Sequence, residues 1–170
     1  VMSEVVSAAK NEAMFVYALF DVSDYATSSG TISMALGSGD FNALAENIGE
    51  FAEKYELDGI LLSGYQNETK EESYGIYSKI GGAIGFNNYM RLRPEAIVRS
   101  CAAAIRKSSP DTMVGILADP VWANAETNEL GSKTSSKYTS LESANADTRG
   151  FIEKKLVDFV IVNAYGSTTN

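Results

Sequence analysis

The sequence predicts an α/β protein in which helices alternate with the strands of a parallel sheet, and a repeated segment is the main reason. Residues 51–65 read FAEKYELDGILLSGY and residues 151–165 read FIEKKLVDFVIVNAY, with Phe, Glu, Lys, Asp and Tyr in the same register. In each copy an amphipathic helix end leads through a polar link into an Asp, a short apolar strand and a Tyr. Continuously apolar strands are typical of parallel sheets, because crossover helices cover their faces. Recurrence of the unit indicates an α/β barrel or an open doubly wound sheet.

Hydrophobic periodicity extends this pattern to four helix-then-strand pairs. Helices are predicted at four places: Met2 to Asn11, about Asp40 to Tyr55, from Pro94 onward, and about Leu141 to Lys155. The strands that follow them are predicted at Phe15 to Phe20, Gly59 to Leu62, Met113 to Leu117 and Phe159 to Val162. Asp40 is a natural N-cap, and Pro94 suits the first position of a helix because proline lacks the N–H that a helix start leaves unpaired.

The connections between these elements are unequal in length. Helices reach their strands through short polar links, such as Glu56 to Asp58, whereas strands end in long loops at about Asp21 to Gly39, Tyr65 to Arg93 and Ala118 to Ser140. Long loops after the strands place the elaborated surface at the carboxyl ends of the strands, where α/β barrels and open α/β sheets carry their sites. The alternative is that the loops are tolerated insertions. Structureless loops of this length are uncommon without a role, which favours function.

Right-handed crossovers between consecutive parallel strands put all helices on one face of a sheet in the order 1-2-3-4. In a complete (β/α)8 barrel the other face is the packed interior, so four units correspond to half a barrel. We therefore predict a partial (β/α)8 TIM-type barrel of about four consecutive βα units, forming a single domain over residues 1–170. A doubly wound sheet, in which the strand order reverses, stays open at this point.

Composition excludes several classes of function. The net charge is -8, with 14 Lys and Arg against 22 Asp and Glu, which argues against a nucleic-acid partner. The chain has no His, so His-based triads and His-ligated zinc are excluded within it. Cys101 is the single cysteine and is predicted to be a buried helical thiol. We expect no metal site and no cofactor, and no stretch approaches the ~20 apolar residues of a membrane span.

Several runs of the sequence resemble the bacterial glycosyl-hydrolase-like family ten, a group of (β/α)8 barrels found in cell-envelope and secreted proteins. These runs are YELDGILLSGY, RLRPEAIVRSCAAAIRKSSPDTMVGILADPVWAN, GSKTSSKY and ADTRGFIEKKLVDFVIVNAY, within about Phe41 to Tyr165. The resemblance implies a fragment that carries roughly the third to sixth strands of the barrel. It also implies an extracellular or cell-envelope location and a carbohydrate or cell-wall glycan as partner.

The chain departs from the family at one strand end. The family usually has two Asp residues before the Tyr of the Asp-Gly-Ile strand, and here Ser63 and Gly64 stand in their place while Tyr65 fits. The family's segment after the next strand is matched loosely at positions 118–124, and its Pro-Gln-x-Tyr segment becomes residues 162–165, which keep an amide and the Tyr. The resemblance therefore leaves a complete pair of catalytic acids in doubt.

Cleavage of a glycosidic bond uses two carboxyl groups across the sugar, one of them with a raised pKa. Three carboxylates at or just past strand ends are candidates for catalysis: Asp21, Glu68 and Asp119. For Asp119, which precedes Pro120, the alternative is a turn cap. Asp58 and Asp158 lie at the opposite ends of their strands and are predicted to cap strand starts by binding backbone amides.

Sugars stack their apolar faces on aromatic rings and present hydroxyls to amides. The candidate substrate-binding residues combine both chemistries at the strand exits: Tyr65, Asn67, Trp122, Asn124, Asn163 and Tyr165. For Trp122 the alternative is a place in the core, which is common for a single Trp in a domain.

Two functions follow from these residues. The first is a glycoside hydrolase-like, carbohydrate-active domain of the cell envelope that acts on or binds a polysaccharide, with the question of its activity open. The second is a non-catalytic carbohydrate-binding or surface-interaction module, in which Ser63 and Gly64 record the loss of catalysis. In either case the bare sheet face needs a cover, either from the long loops, or from the missing barrel half, or from a homodimer of two chains, which we favour over the loops.

Overall fold

The computed structural model describes residues 1–23, 39–66, 74–75, 77–78 and 84–164. Four helices and four strands alternate in this part of the chain: α1 (Met2–Asn11), β1 (Tyr17–Asp21), α2 (Gly39–Tyr55), β2 (Gly59–Ser63), α3 (Phe86–Ser108), β3 (Met113–Ala118), α4 (Thr148–Glu153) and β4 (Phe159–Val162). The strands form one sheet in the order β1-β2-β3-β4, and every neighbouring pair is parallel. The predicted α/β class and the sequential strand order are confirmed.

The start of each repeated strand is fixed by an aspartate. The Asp58 N–H donates to the Val16 carbonyl at 3.0 Å, and its Oδ2 accepts the Val16 N–H at 2.6 Å. Asp158 makes the same two bonds with Val114, at 2.7 and 2.8 Å. Both aspartates therefore pair their strand with the preceding one, and their prediction as strand-start caps is confirmed.

One face of the sheet forms the core. Ile60 and Leu62 of β2 and Val114 and Ile116 of β3 have no exposed surface. They pack in one cluster with buried side chains of the helices: Ile48, Val98, Cys101, Ile105 and Phe151. Cys101 is buried and reduced, as predicted, and burial raises the pKa of its thiol.

The opposite face of the sheet is open. Its apolar side chains are between 38% and 59% exposed at four positions: Tyr17, Leu19, Met113 and Ile161. The rings of Tyr17 and Phe159 meet edge to face, with centroids 5.5 Å apart. They lie over Gly59 and Gly115, where a Cβ atom would overlap them, so the two glycines let outer-strand rings cross the inner strands. A bare face is what sequential order predicts.

Two helix boundaries differ from the prediction. The start of α3 at Pro94 was wrong, because the helix begins at Phe86 and contains Pro94. The side chains of Tyr89, Met90 and Arg93 are buried upstream of Pro94. This packing continues the buried face of the helix and offsets the hydrogen bond that Pro94, which has no N–H, cannot donate.

The fourth helix is shorter than predicted, at Thr148–Glu153 instead of about Leu141 to Lys155. Asn145 adopts φ 52°, which a helix does not accommodate, and Asp147 caps α4 by accepting the Gly150 N–H. The segment after β3 therefore extends to residue 147. None of the described helices is both long and apolar enough to cross a membrane.

Candidate functional site

The strand ends meet along one side of the sheet, which we call the carboxyl edge, and hydrogen bonds join each exit to its neighbour. The Val22 N–H donates to the Ser63 carbonyl at 2.9 Å, which joins the exits of β1 and β2. Tyr65 Oη donates to the Leu117 carbonyl at 2.9 Å, and the Asn163 N–H donates to the Ala118 carbonyl at 2.9 Å. The four exits thus form one continuous surface.

Asp21 lies at the end of β1 and is exposed. Hydrogen bonds from the Ser23 hydroxyl and N–H lower the pKa of the Asp21 carboxyl below its usual range, and the N–H bond is 2.9 Å long. A carboxylate held in this way is ionised at neutral pH and does not donate a proton. It suits the role of a base, a nucleophile or an acceptor for sugar hydroxyls.

Gly64 explains how Asp21 fits against the neighbouring strand. It has φ +70°, and a Cβ atom built on it would overlap Asp21 Oδ1 and crowd Ser23. The carboxylate of Asp21 therefore occupies the space that a side chain at position 64 would need. Ser63, beside it, is buried and donates a long bond of 3.5 Å to the Phe20 carbonyl.

Asp119 lies one residue past β3 and is half-buried. Its Oδ2 accepts a hydrogen bond from Ser140 Oγ at 3.3 Å. Burial raises the pKa of Tyr65, and the charges of Asp119 and Tyr138 raise it further. Tyr65 is buried, whereas Tyr138 is 42% exposed.

Tyr65 has no exposed surface. Its ring packs edge to face on Phe151 of α4 at 6.0 Å, and its hydroxyl bonds to β3. The structure places this predicted sugar-binding residue beneath the carboxyl edge, where it supports the exits of β2 and β3 and offers no ring face to a ligand.

Trp122 is half-buried and its orientation is fixed by two contacts. Its Nε1 donates to Asp147 Oδ1 at 3.1 Å, and the Arg149 guanidinium lies over the ring at 5.5 Å from the centroid. The same Asp147 oxygen accepts the Gly150 N–H that caps α4. The indole is therefore held against the start of α4, with a cation over the ring.

Asn124 organises the loop that follows Trp122. Its Oδ1 accepts hydrogen bonds from Thr134 Oγ1 and the Ser136 N–H, both at 2.9 Å, and its Nδ2 donates to the Ser136 carbonyl at 2.8 Å. The loop closes at its base, where Ser140 and Leu141 donate to the carbonyls of residues 121 and 122. The oxygen and the nitrogen of the Asn124 amide are therefore both hydrogen-bonded within the loop.

The remaining predicted residues divide in two groups. Asn163 is exposed at the end of β4. Asn67, Glu68 and Tyr165 lie outside the described residues, so their predicted roles stay predictions. Asp21 and Asp119 follow strands separated by β2, and two strand spacings amount to about 10 Å.

Sequence reasoning missed the polar residues that hold this edge together, namely Ser140, Tyr138, Asp147 and Arg149. Asp147 had a signal, because an Asp three residues before Gly150 and at the start of an apolar helical run is typical of an N-cap. Among the described residues, no group of three or more His, Cys, Asp or Glu side chains is arranged to hold a metal ion.

The fold and this edge define an α/β protein with an elaborated carboxyl edge that carries acidic and aromatic side chains. No protein-family model matches the chain, so membership of the resembled family is not confirmed. The chain is similar to the glycosyl hydrolase YngK of Bacillus subtilis (strain 168), with 23% identity over 132 residues. The match covers 73% of this chain and 26% of that protein, so the chain spans about a quarter of its relative's length. This supports a loose, glycosyl hydrolase-like relationship.

Proposed function

We propose that the chain is part of a glycoside hydrolase-like (β/α)8 barrel in a cell-envelope or secreted protein, and that its carboxyl edge binds a polysaccharide. The observation that carries the proposal is the placement of Asp21, Asp119 and Trp122 at or past the ends of β1 and β3, on the carboxyl edge of one parallel sheet, where barrels carry their sites. The name of the similar protein supports the same class of substrate.

Asp21 and Asp119 differ in the roles they suit. Asp21 is ionised and exposed, so we assign it contact with sugar hydroxyls or the part of base or nucleophile. Asp119 is half-buried and accepts a hydrogen bond from Ser140, and we assign it the second carboxyl position, since the separation of the two strand exits leaves room for a sugar between it and Asp21. Glu68 stays a further candidate for catalysis.

A second candidate function is non-catalytic carbohydrate binding, and Gly64 favours it. The resembled family carries an acid at this position, but here Asp21 and Ser23 occupy the space that a side chain would need. The carboxyl edge therefore has no room for an acidic side chain at position 64. This observation supports a binding surface that keeps the sugar contacts without the full acid pair.

A glycan array probed with the chain, followed by product analysis on every glycan that binds, separates these functions. We expect polysaccharide binding that Trp122→Ala weakens, with at best marginal cleavage, because losing general acid catalysis typically removes about 10²–10⁴-fold in rate. Leu130→Ala is the matched control, since Leu130 is 57% exposed in the same loop. Absence of binding to every glycan would contradict the proposal, and robust cleavage abolished by Asp119→Asn would exclude the binding module.

As an alternative to the rest of the barrel, we propose that in the chain by itself a second copy covers the open sheet face, so that two sets of four strands meet. The exposed apolar side chains of β1, β3 and β4 support this, because parallel sheets are seldom stable with one face in water. Light scattering across a dilution series tests it. A monomer at low micromolar concentration whose melting does not depend on concentration would overturn the pairing.

A further inference from the structure

Four aromatic rings gather at the start of α3, in a group that sequence reasoning did not single out. This tyrosine cluster consists of Tyr74, Tyr77, Phe86 and Tyr89, with ring centroids 5.2 to 6.5 Å apart. Tyr74 is 58% exposed and Tyr89 is 3% exposed. The cluster therefore runs from the protein surface down to a buried position at the start of α3.

Two polar atoms at the buried end of the cluster have no hydrogen-bond partner within the part of the chain that the structure describes: Tyr89 Oη and Arg93 Nε. Both residues are buried, with Arg93 only 6% exposed. They are four positions apart on α3, so their side chains are neighbours, with Cβ atoms about 5–6 Å apart. The Tyr77 hydroxyl, by contrast, donates to the Ile84 carbonyl at 2.7 Å.

Arg93 differs from the other arginines of the described chain. Arg99, Arg106 and Arg149 each bind a carboxylate, and Arg91 binds the Leu141 carbonyl and Asn88. Among the described residues, Arg93 Nε has no hydrogen-bond partner and Arg93 takes part in none of the ion pairs, in a protein of net charge -8.

Burial lowers the pKa of Arg93, but a guanidinium stays charged in proteins. A buried charge without a partner is costly, and buried charges in proteins are ordinarily paired. Three features therefore lie together: the unpartnered Nε of Arg93, the unpartnered hydroxyl of Tyr89 and the aromatic rings of the cluster. They suit a ligand that has both a negative charge and a ring.

We propose that Arg93 and Tyr89 bind the carboxylate of an acidic sugar whose ring packs against the tyrosine cluster. A guanidinium matches a carboxylate with two parallel hydrogen bonds, and the Tyr89 hydroxyl donates a third. The proposal rests on the proposed carbohydrate function and specifies its substrate class, a polysaccharide that contains uronic acid or another carboxylate-bearing sugar.

Titration calorimetry with an oligogalacturonate, and with a neutral oligosaccharide of the same length, tests the proposal. We expect the chain to bind the acidic probe at least tenfold more tightly than the neutral probe. Arg93→Met should remove this preference, and Arg93→Lys should keep part of it. Arg99→Met is the matched control, because it removes one positive charge from the same helix at a side chain that is 55% exposed and paired with Glu95.

A thermal melt without ligand distinguishes binding from a structural role. Arg93→Met should melt at the same temperature as the wild type or higher, because the substitution breaks no bond and removes a buried charge. A clear drop in melting temperature would overturn the proposal.

In the binding experiment, equal binding of both probes would overturn the proposal and leave the proposed function standing. If neither probe binds but a glycan on the array does, the proposed substrate class is wrong and the proposed function stands. Binding of no glycan at all would overturn both.

Discussion

The aspartates at the two ends of the sheet use the same side chain for different purposes. At the amino end, Asp58 and Asp158 each bind the backbone N–H and the backbone carbonyl of one residue, which is Val16 for Asp58 and Val114 for Asp158. At the carboxyl end, Asp21 bonds to Ser23 of its own exit, and Asp119 accepts a bond from the side chain of Ser140. The first pair fixes strand register, whereas the second pair lies on a surface of long loops. Position in a parallel sheet, more than residue type, decides whether a carboxylate joins neighbouring strands or lies at the strand exits, where α/β proteins carry their sites.

Removing both amino-end carboxylates is the strongest test of this contrast. We expect Asp58→Ala with Asp158→Ala to lower the free energy of unfolding by about 2–6 kcal/mol, since each leaves a backbone N–H unsatisfied at about 1–3 kcal/mol and the two share no partner. Urea unfolding measures the change. Asp111→Ala is the control, because Asp111 is exposed near the same end. A loss below about 1 kcal/mol would show that these carboxylates do not hold the register.

Gly64→Ala tests whether Asp21 occupies the space of the missing side chain. The positive φ alone costs about 1–2 kcal/mol for a residue with a Cβ atom, and the overlap with Asp21 adds to it. Combining Gly64→Ala with Asp21→Ala should restore the part of the free energy of unfolding that is lost to the overlap with Asp21, as measured in an unfolding experiment.

The control for Gly64 is Gly85→Ala, where φ is -64° and a Cβ atom meets nothing within 4 Å. If Gly64→Ala and Gly85→Ala unfold alike, the account of this strand end is wrong.

The smallest expected effect is the pH dependence of Asp21. Its pKa is lower in the folded state, so the stability that it contributes is present above the unfolded pKa of about 3.9 and is lost as the pH falls through the folded value. Unfolding curves of the wild type and Asp21→Asn should therefore differ slightly at pH 6 and converge in strong acid. A difference that grows in acid would contradict the bonds to Ser23.

The sequence was informative wherever local pattern and topology coincide. Asp58 and Asp158 were predictable because the segment repeats, and a residue at a strand start can reach only the neighbouring backbone. The start of α3 was not predictable, because burial of Tyr89 and Arg93 overrides the tendency of Pro94 to begin a helix. The shortening of α4 depends on the left-handed conformation of Asn145, which its residue type permits but does not require.

The site was harder to predict than the fold, because its contacts join distant parts of the chain. Tyr65 follows the end of β2 as predicted, but packing on Phe151 of the fourth helix removes it from the surface. Trp122 is held by Asp147 and Arg149 of a later segment. Arg93 Nε has no partner among the residues that the structure describes, and no spacing of residues in a sequence signals such an absence.

The central claim is that the carboxyl edge binds glycan while the amino edge builds the fold, and one paired measurement tests it most directly. Glycan binding and urea unfolding are measured together for Asp119→Asn and Asp158→Asn. We predict that Asp119→Asn weakens binding at least tenfold and changes stability little, while Asp158→Asn lowers stability and leaves the affinity of the folded fraction unchanged. The reverse pattern, or equal effects of both substitutions on both measurements, would contradict the account.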